Sequence, residues 1–183
     1  MSVTTAELAD LVAASNAIER IDAIAGDPAY DDHLAAAALA IDGECDPRTL
    51  HAVLTRRLSP AHEVGALRRI AISIGGERPP EPGPHIAIHF GRLMEQLVAG
   101  PRDNEDPEAA AARLHHEFQA VHPFSDANGR TGRLLWNALR ARSGLPLLVI
   151  RPGEEQRAYF AAIREYRRDR FRCDAANGFA ACR

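Results

Sequence analysis

Apolar residues near the start of the chain recur at helical spacing, with Leu8, Leu11, Val12 and Ile18 following a Thr4–Glu7 pair spaced as a capping box. The pattern predicts a first helix over about residues 4–25, stopped by Gly26, Asp27 and Pro28. A second is expected over residues 29–41, ended by Asp42 and Gly43, and a third from Pro47, a residue suited to a first turn. Past Gly65 the period changes. Ile70, Ile72 and Ile74 alternate with small or polar residues and Gly75-Gly76 follows, which predicts a short strand or hairpin. Prolines postpone the next helix to about His85. Leu114, Phe118 and Val121 mark the core face of another helix, and a helix over 130–144 has Gly144 as its C-cap, with Pro146 beyond. A last helix is expected over 154–170. With no repeat, low-complexity tract or linker, the reading is all-α: a single domain over 1–183, a compact helical bundle with one small β-element.

Composition narrows the chemistry. The 183 residues are 46% hydrophobic and 26% charged with a net charge of -3, which argues against a general nucleic-acid binder. No lysine occurs, so anions must be held by arginine, histidine, backbone amides or a metal. Cys45, Cys173 and Cys182 form no CxxC pair and are odd in number, which fits free thiols better than a disulfide framework or zinc site. The start lacks a basic n-region, and no apolar run nears the ~20 residues that span a bilayer. A cytoplasmic protein without nucleic-acid or membrane partners is expected.

The densest chemistry lies in "HPFSDANGRTGR", His122 to Arg133. A glycine-rich turn feeding a helix N-terminus offers amides without intrahelical acceptors to an anion. Arg130 and Arg133, three apart, suit a polyphosphate. Asp126 would repel such a ligand unless a divalent cation stood between them, and one carboxylate plus phosphates is a usual Mg²⁺ arrangement. His122 is a plausible general base. By contrast, His115 and His116, adjacent on a helix, point about 100° apart and make a poor chelate. His115 is expected to be a buried hydrogen-bonding residue. The arginines of "REYRRDRFR" alternate with acids and read as a solvated helix face.

The loop resembles the signature of the Fic family, HxFx(D/E)GNGRxxR, through His122, Phe124, Asp126, Asn128, Gly129, Arg130 and Arg133, with Ala127 replacing the usual glycine. The segment "GALRRIAISIGGERPPEP" is similar to the family's β-hairpin flap, and "GLP" and "RAYFAAI" to the elements that follow the loop. Only the tail 171–183 has no counterpart. The resemblance implies the Fic fold, with a flap over about 66–80 and an active-site loop over 122–133. It also implies transfer of AMP from ATP, with Mg²⁺, to a hydroxyl of a target protein. His122 would take the hydroxyl proton and Asp126 would hold Mg²⁺. Asn128, Gly129, Arg130 and Arg133 would hold the phosphates, and Phe124 would anchor the loop. Ile72, Ser73 and Ile74 would dock the target as an added strand. Homodimers occur in the family and are an expectation here.

Leu8, Val12, Ser15 and Glu19 fall at i, i+4, i+7 and i+11, one helical stripe. An ionised glutamate on a packing face needs a cationic partner. "SNAIER" resembles the family's inhibitory motif (S/T)xxxE(G/N), with Arg20 replacing Gly or Asn. That resemblance implies that Glu19 pairs with Arg133, blocks the γ-phosphate position and makes the first helix an inhibitory element. Two other readings stand beside this one. In the first the site uses another donor (UMP, phosphocholine, phosphate) or a small-molecule acceptor, which Ala127 leaves open. In the second the fold is a non-catalytic binding module.

Overall fold

A computed structural model describes residues 3–61, 63–74 and 83–176. Among these it forms α1 (Thr5–Ile18), α2 (Pro28–Ile41), α3 (Pro47–Thr55), α4 (Pro84–Ala99), α5 (Pro107–Val121), α6 (Asn128–Arg142) and α7 (Glu154–Ala176). The all-α bundle is as expected, and no helix among the described residues is long and apolar enough to cross a membrane.

The capping box at the start of α1 is formed: Glu7 N donates to Thr4 Oγ1, and the Glu7 carboxylate accepts from Thr4 N at 2.8 Å. Such caps contribute about 1 kcal/mol. α1 ends seven residues earlier than the expected limit of 25. The stop is made by backbone geometry at Arg20, whose φ of 57° is left-handed. Arg20 N donates to Ala17 O and Ile21 N to Asn16 O, the paired bonds of a Schellman termination. The last helix extends beyond the expected 170, to Ala176. α6 starts at Asn128, two residues before the expected 130, because Ala127 turns left-handed and directs the chain into the helix.

α6 is the centre of the molecule, with α1, α2, α3 and α5 all packed on it. Its contact with α5 is close enough to require a glycine. A Cβ on Gly132 would stand 2.1 Å from Gln119 Nε2 and 3.0 Å from the Phe118 ring. His115 Nδ1 donates to Gly132 O at 2.8 Å across the same contact, so His115 is the buried hydrogen-bonding residue that its position suggested. Val12, Leu50, Phe118, Phe124 and Leu135 are fully enclosed around this helix. Each such side chain stabilises by about 1.5–3 kcal/mol through burial.

The expected flap is only partly within the described residues. Residues 66–73 are neither helix nor strand, Ile74 holds a single β-bridge position, and 75–80 lie outside. The hairpin over 66–80 is therefore reduced, in the described part, to an extended segment along the active-site loop.

Candidate active site

Backbone conformation places His122 before its side chain does. It closes α5 in the left-handed region (φ 48°, ψ 62°), with its N–H on Phe118 O at 2.9 Å. Its Nδ1 lies 3.3 Å from Gln119 O, which can only accept. The proton therefore sits on Nδ1, and Nε2 keeps a lone pair. Burial pushes the imidazole pKa down to about 4. Gln119 O and Asp126 act against the shift, and the Arg167 and Arg68 charges add to it. At neutral pH the ring is unprotonated, the form a general base requires.

Asn128 shapes the loop. Its Oδ1 accepts Phe124 N at 2.9 Å and its Nδ2 donates to Phe124 O at 2.8 Å. This bridge across the loop holds Asn128 at the cavity wall, where a phosphate would meet the backbone N–H groups at Asn128 and Gly129. Phe124 is fully buried and stacks on His51, with centroids 4.0 Å apart, as an anchor should. Ala127, at φ 58°, explains why glycine would be usual here: the position is left-handed, and alanine adopts it at a cost of about 1 kcal/mol.

Both arginines are buried. Arg130 is 6% exposed, and its Nε and Nη1 have no acceptor among the described residues, so burial lowers its pKa. Arg133 is 3% exposed and is gripped by α1. Its Nε donates to Ser15 Oγ at 2.8 Å, and its Nη2 to Ser15 O at 3.0 Å and Glu19 Oε1 at 2.8 Å. The expected Ser15–Glu19 stripe does meet the second arginine. Only glycine at 129 permits this approach, because a Cβ there would stand 2.2 Å from Glu19 Oε1.

These groups line a cavity of about 430 Å³, shared by Glu19, His122, Asp126, Gly129 and Arg130. Its other wall is Tyr159, Phe160, Ile163 and Arg167 from α7, with Ile21 and Ile74 at its edges. Ile74 thus reaches the site, Ile72 is half-buried and Ser73 is exposed. Asp126, exposed at the rim, accepts Ala127 N through Oδ1. Among the described residues no three His, Cys, Asp or Glu side chains cluster to hold a metal unaided. The Asp126 carboxylate, at the rim of a cavity roomy enough for a polyphosphate, fits Mg²⁺ held jointly with phosphates. The sequence reading missed Arg167, which is 2% exposed and not on a solvated face. Tyr159, Ile163 and Arg167, at i, i+4 and i+8, were the available signal.

A family model, Fic/DOC, matches residues 45–139, just over half of the sequence. The chain belongs to the Fic/DOC family. Over 97 residues it is 38% identical to the protein adenylyltransferase Fic of Culex quinquefasciatus, covering 53% of this chain and 19% of that protein. The Drosophila mojavensis protein of the same name is 38% identical over 98 residues, 54% of this chain and 19% of that one. The chain thus spans about a fifth of the length of these relatives. Its fold is similar to that of a Fic domain containing signaling protein from Bacteroides thetaiotaomicron (TM-score 0.71, 19% identity, 93% of this chain and 73% of that one). A Fic family protein from Desulfovibrio desulfuricans is also similar (TM-score 0.60, 24% identity, 92% and 56%). α1 lies outside the span matched to the family model, so the Glu19–Arg133 contact comes from this chain's own geometry.

Proposed function

We propose that this Fic protein is an adenylyltransferase that moves AMP from ATP to a hydroxyl of a target protein or of itself, restrained by α1. The observation that carries the reading is the cavity that an unprotonated His122 shares with the N-terminus of α6 and the buried Arg130, with the buried Arg133 about one helical turn further along α6. ATP would lay its β- and γ-phosphates against Arg130, Arg133 and the first amides of α6. The apolar wall of Tyr159, Phe160 and Ile163 suits the nucleoside. His122 Nε2 takes the proton of the acceptor hydroxyl as its oxygen attacks the α-phosphorus. The bond from that phosphorus to the bridging oxygen breaks, and pyrophosphate leaves with its charge compensated by the arginines. Asp126 would hold Mg²⁺, which when bound supplies positive charge to the phosphates.

Ala127 holds the left-handed conformation that glycine would hold at this position, so the loop keeps the course the adenylyltransferase reading needs. The complete set of reacting groups is more than a binding module needs. As the contact stands, Glu19 occupies the guanidinium that the γ-phosphate requires, so the resting chain is expected to be slow. The test is intact-mass measurement after incubation with Mg²⁺ and ATP. A gain of one AMP in Glu19→Gly that disappears in Glu19→Gly/His122→Ala is the expected result. No adduct on the chain or on added acceptor proteins would overturn the reading.

A further inference from the structure

Among the described residues, the segment between α3 and α4 is tied to the active-site loop at Arg68. Arg68 is 2% exposed. Its Nε donates to His122 O at 2.8 Å, its backbone N–H to Pro123 O at 2.8 Å, and its Nη1 to Ile70 O at 3.0 Å. One guanidinium thus ties the peptide that follows the histidine to the first residues of the flap segment.

We propose that Arg68 is a positioning residue: it fixes the direction of the His122 imidazole and couples it to the segment that leads to Ile74 at the cavity. This rests on the adenylyltransferase reading for its meaning, though not for its test. His122 is left-handed, a conformation that a non-glycine residue keeps only when its surroundings hold it. Among the described residues its ring is held by one hydrogen bond, Nδ1 to Gln119 O, which is long at 3.3 Å and leaves the ring room to turn. The stronger constraint is on the backbone. The His122 and Pro123 carbonyls belong to successive peptide planes and each is held from Arg68, so neither plane can turn without breaking a bond. Losing both bonds would free the backbone at His122 to leave its left-handed conformation, which would redirect the Cα–Cβ bond and with it Nε2.

The anchor on the other side is equally definite. Gly65 N donates to His51 Nδ1 at 3.0 Å, Arg48 Nε donates to Gly65 O at 2.9 Å, and the His51 ring stacks on Phe124 of the active-site loop. α3, the base of the flap segment and the loop therefore move as one body. Six residues beyond Arg68, Ile74 lines the cavity with His122. An acceptor that docks against Ile74 would thereby steady the base. Arginine suits this position because Nε and Nη1 point at two carbonyls in different directions, which a lysine ammonium on a single stem cannot match.

The test compares Arg68→Lys and Arg68→Gln with their parent in the Glu19→Gly background. Initial rates over a range of ATP should give kcat lowered roughly 10–100-fold in Arg68→Gln and less in Arg68→Lys, with KM for ATP within about twofold, the size of effect expected from a misdirected base. Independently of activity, ¹⁵N NMR of the histidines should show His122 as the Nδ1–H tautomer in the parent and as a tautomer mixture in Arg68→Gln. If the His122 ring signals in Arg68→Gln match the parent, the proposal is overturned. It is also overturned if kcat falls only in step with melting temperature and ATP binding, since the role is then structural. If the Glu19→Gly parent itself forms no AMP adduct, the adenylyltransferase reading fails, while the NMR comparison still decides the role of Arg68.

Discussion

Removing the Glu19 carboxylate is the sharpest perturbation this structure offers. The ion pair with Arg133 joins a guanidinium that is 3% exposed to a carboxylate that is 35% exposed. A hydrogen bond to a charged group contributes about 1.5–3 kcal/mol when enclosed, while an exposed ion pair contributes about 0–1. A pair with one buried and one partly wetted partner falls between, at about 1–2 kcal/mol. At 1.4 kcal/mol per decade, that holds the arginine away from a γ-phosphate by about 5–30-fold. Glu19→Gly should therefore raise the rate of AMP transfer by about that factor. Glu19→Gln, which keeps an acceptor but loses the charge, should give a smaller rise. Ser15→Ala removes one of three bonds to Arg133 and leaves the Ser15 carbonyl and Glu19 in place, so about 2–5-fold is expected. The assay is the initial rate of AMP incorporation with saturating ATP and Mg²⁺, beside a separate measurement of ATP affinity. Glu19→Gly and Glu19→Gln rates within twofold of the parent, in proteins that bind ATP normally, would refute the reasoning.

Ala127→Gly should relieve the left-handed strain at φ 58° and stabilise by about 1 kcal/mol, raising Tm by about 2–4 °C in a calorimetric scan. Arg20→Gly eases the same strain at the end of α1, so it should seat Glu19 more firmly and lower basal AMP transfer about 2–5-fold, read as the same initial rate. Burial holds the pKa of His33 at about 3 and those of His51 and His122 at about 4, against about 6.5 in the unfolded chain. Because the folded values are depressed, their contribution is fully present above pH ~6.5 and is lost as the pH falls towards 4. Each group can weaken folding by up to about 1.4 kcal/mol per pH unit in that window, which urea unfolding at pH 7, 6, 5 and 4 will measure.

Much of this architecture could be read along the chain, and the exceptions have physical causes. Helices were legible where apolar spacing and caps agreed, as at Thr4–Glu7 and Gly144. The end of α1 was not, because its termination depends on a left-handed Arg20, and arginine carries no signal for that conformation. The loop chemistry was legible because its residue types are contiguous. The Glu19–Arg133 pair, 114 residues apart, was legible only through resemblance. Arg167 was missed because it sits in a charged run that reads as surface, and Arg68 because nothing in the flanking apolar alternation marks it, while tertiary packing buries both. The bridge from Asn128 back to Phe124 was not legible, because it depends on the path of the folded loop and not on residue type.

α6 explains why inhibition and catalysis would share residues. It is the most enclosed helix, yet it carries Arg130 and Arg133 at its buried N-terminal end, where the helix dipole is already positive. Two guanidiniums there are costly without an anion, and among the described residues Arg130 has none within hydrogen-bonding reach. Arg133 has Glu19. The polyphosphate of ATP would meet the same electrostatic need, so on the proposed function carboxylate and γ-phosphate would be alternative occupants of one position, not independent devices. A stronger site for phosphate is then also a stronger site for the brake. Substitutions that weaken Arg133 should accordingly release α1 and impair transfer together, whereas those at Glu19 separate the two.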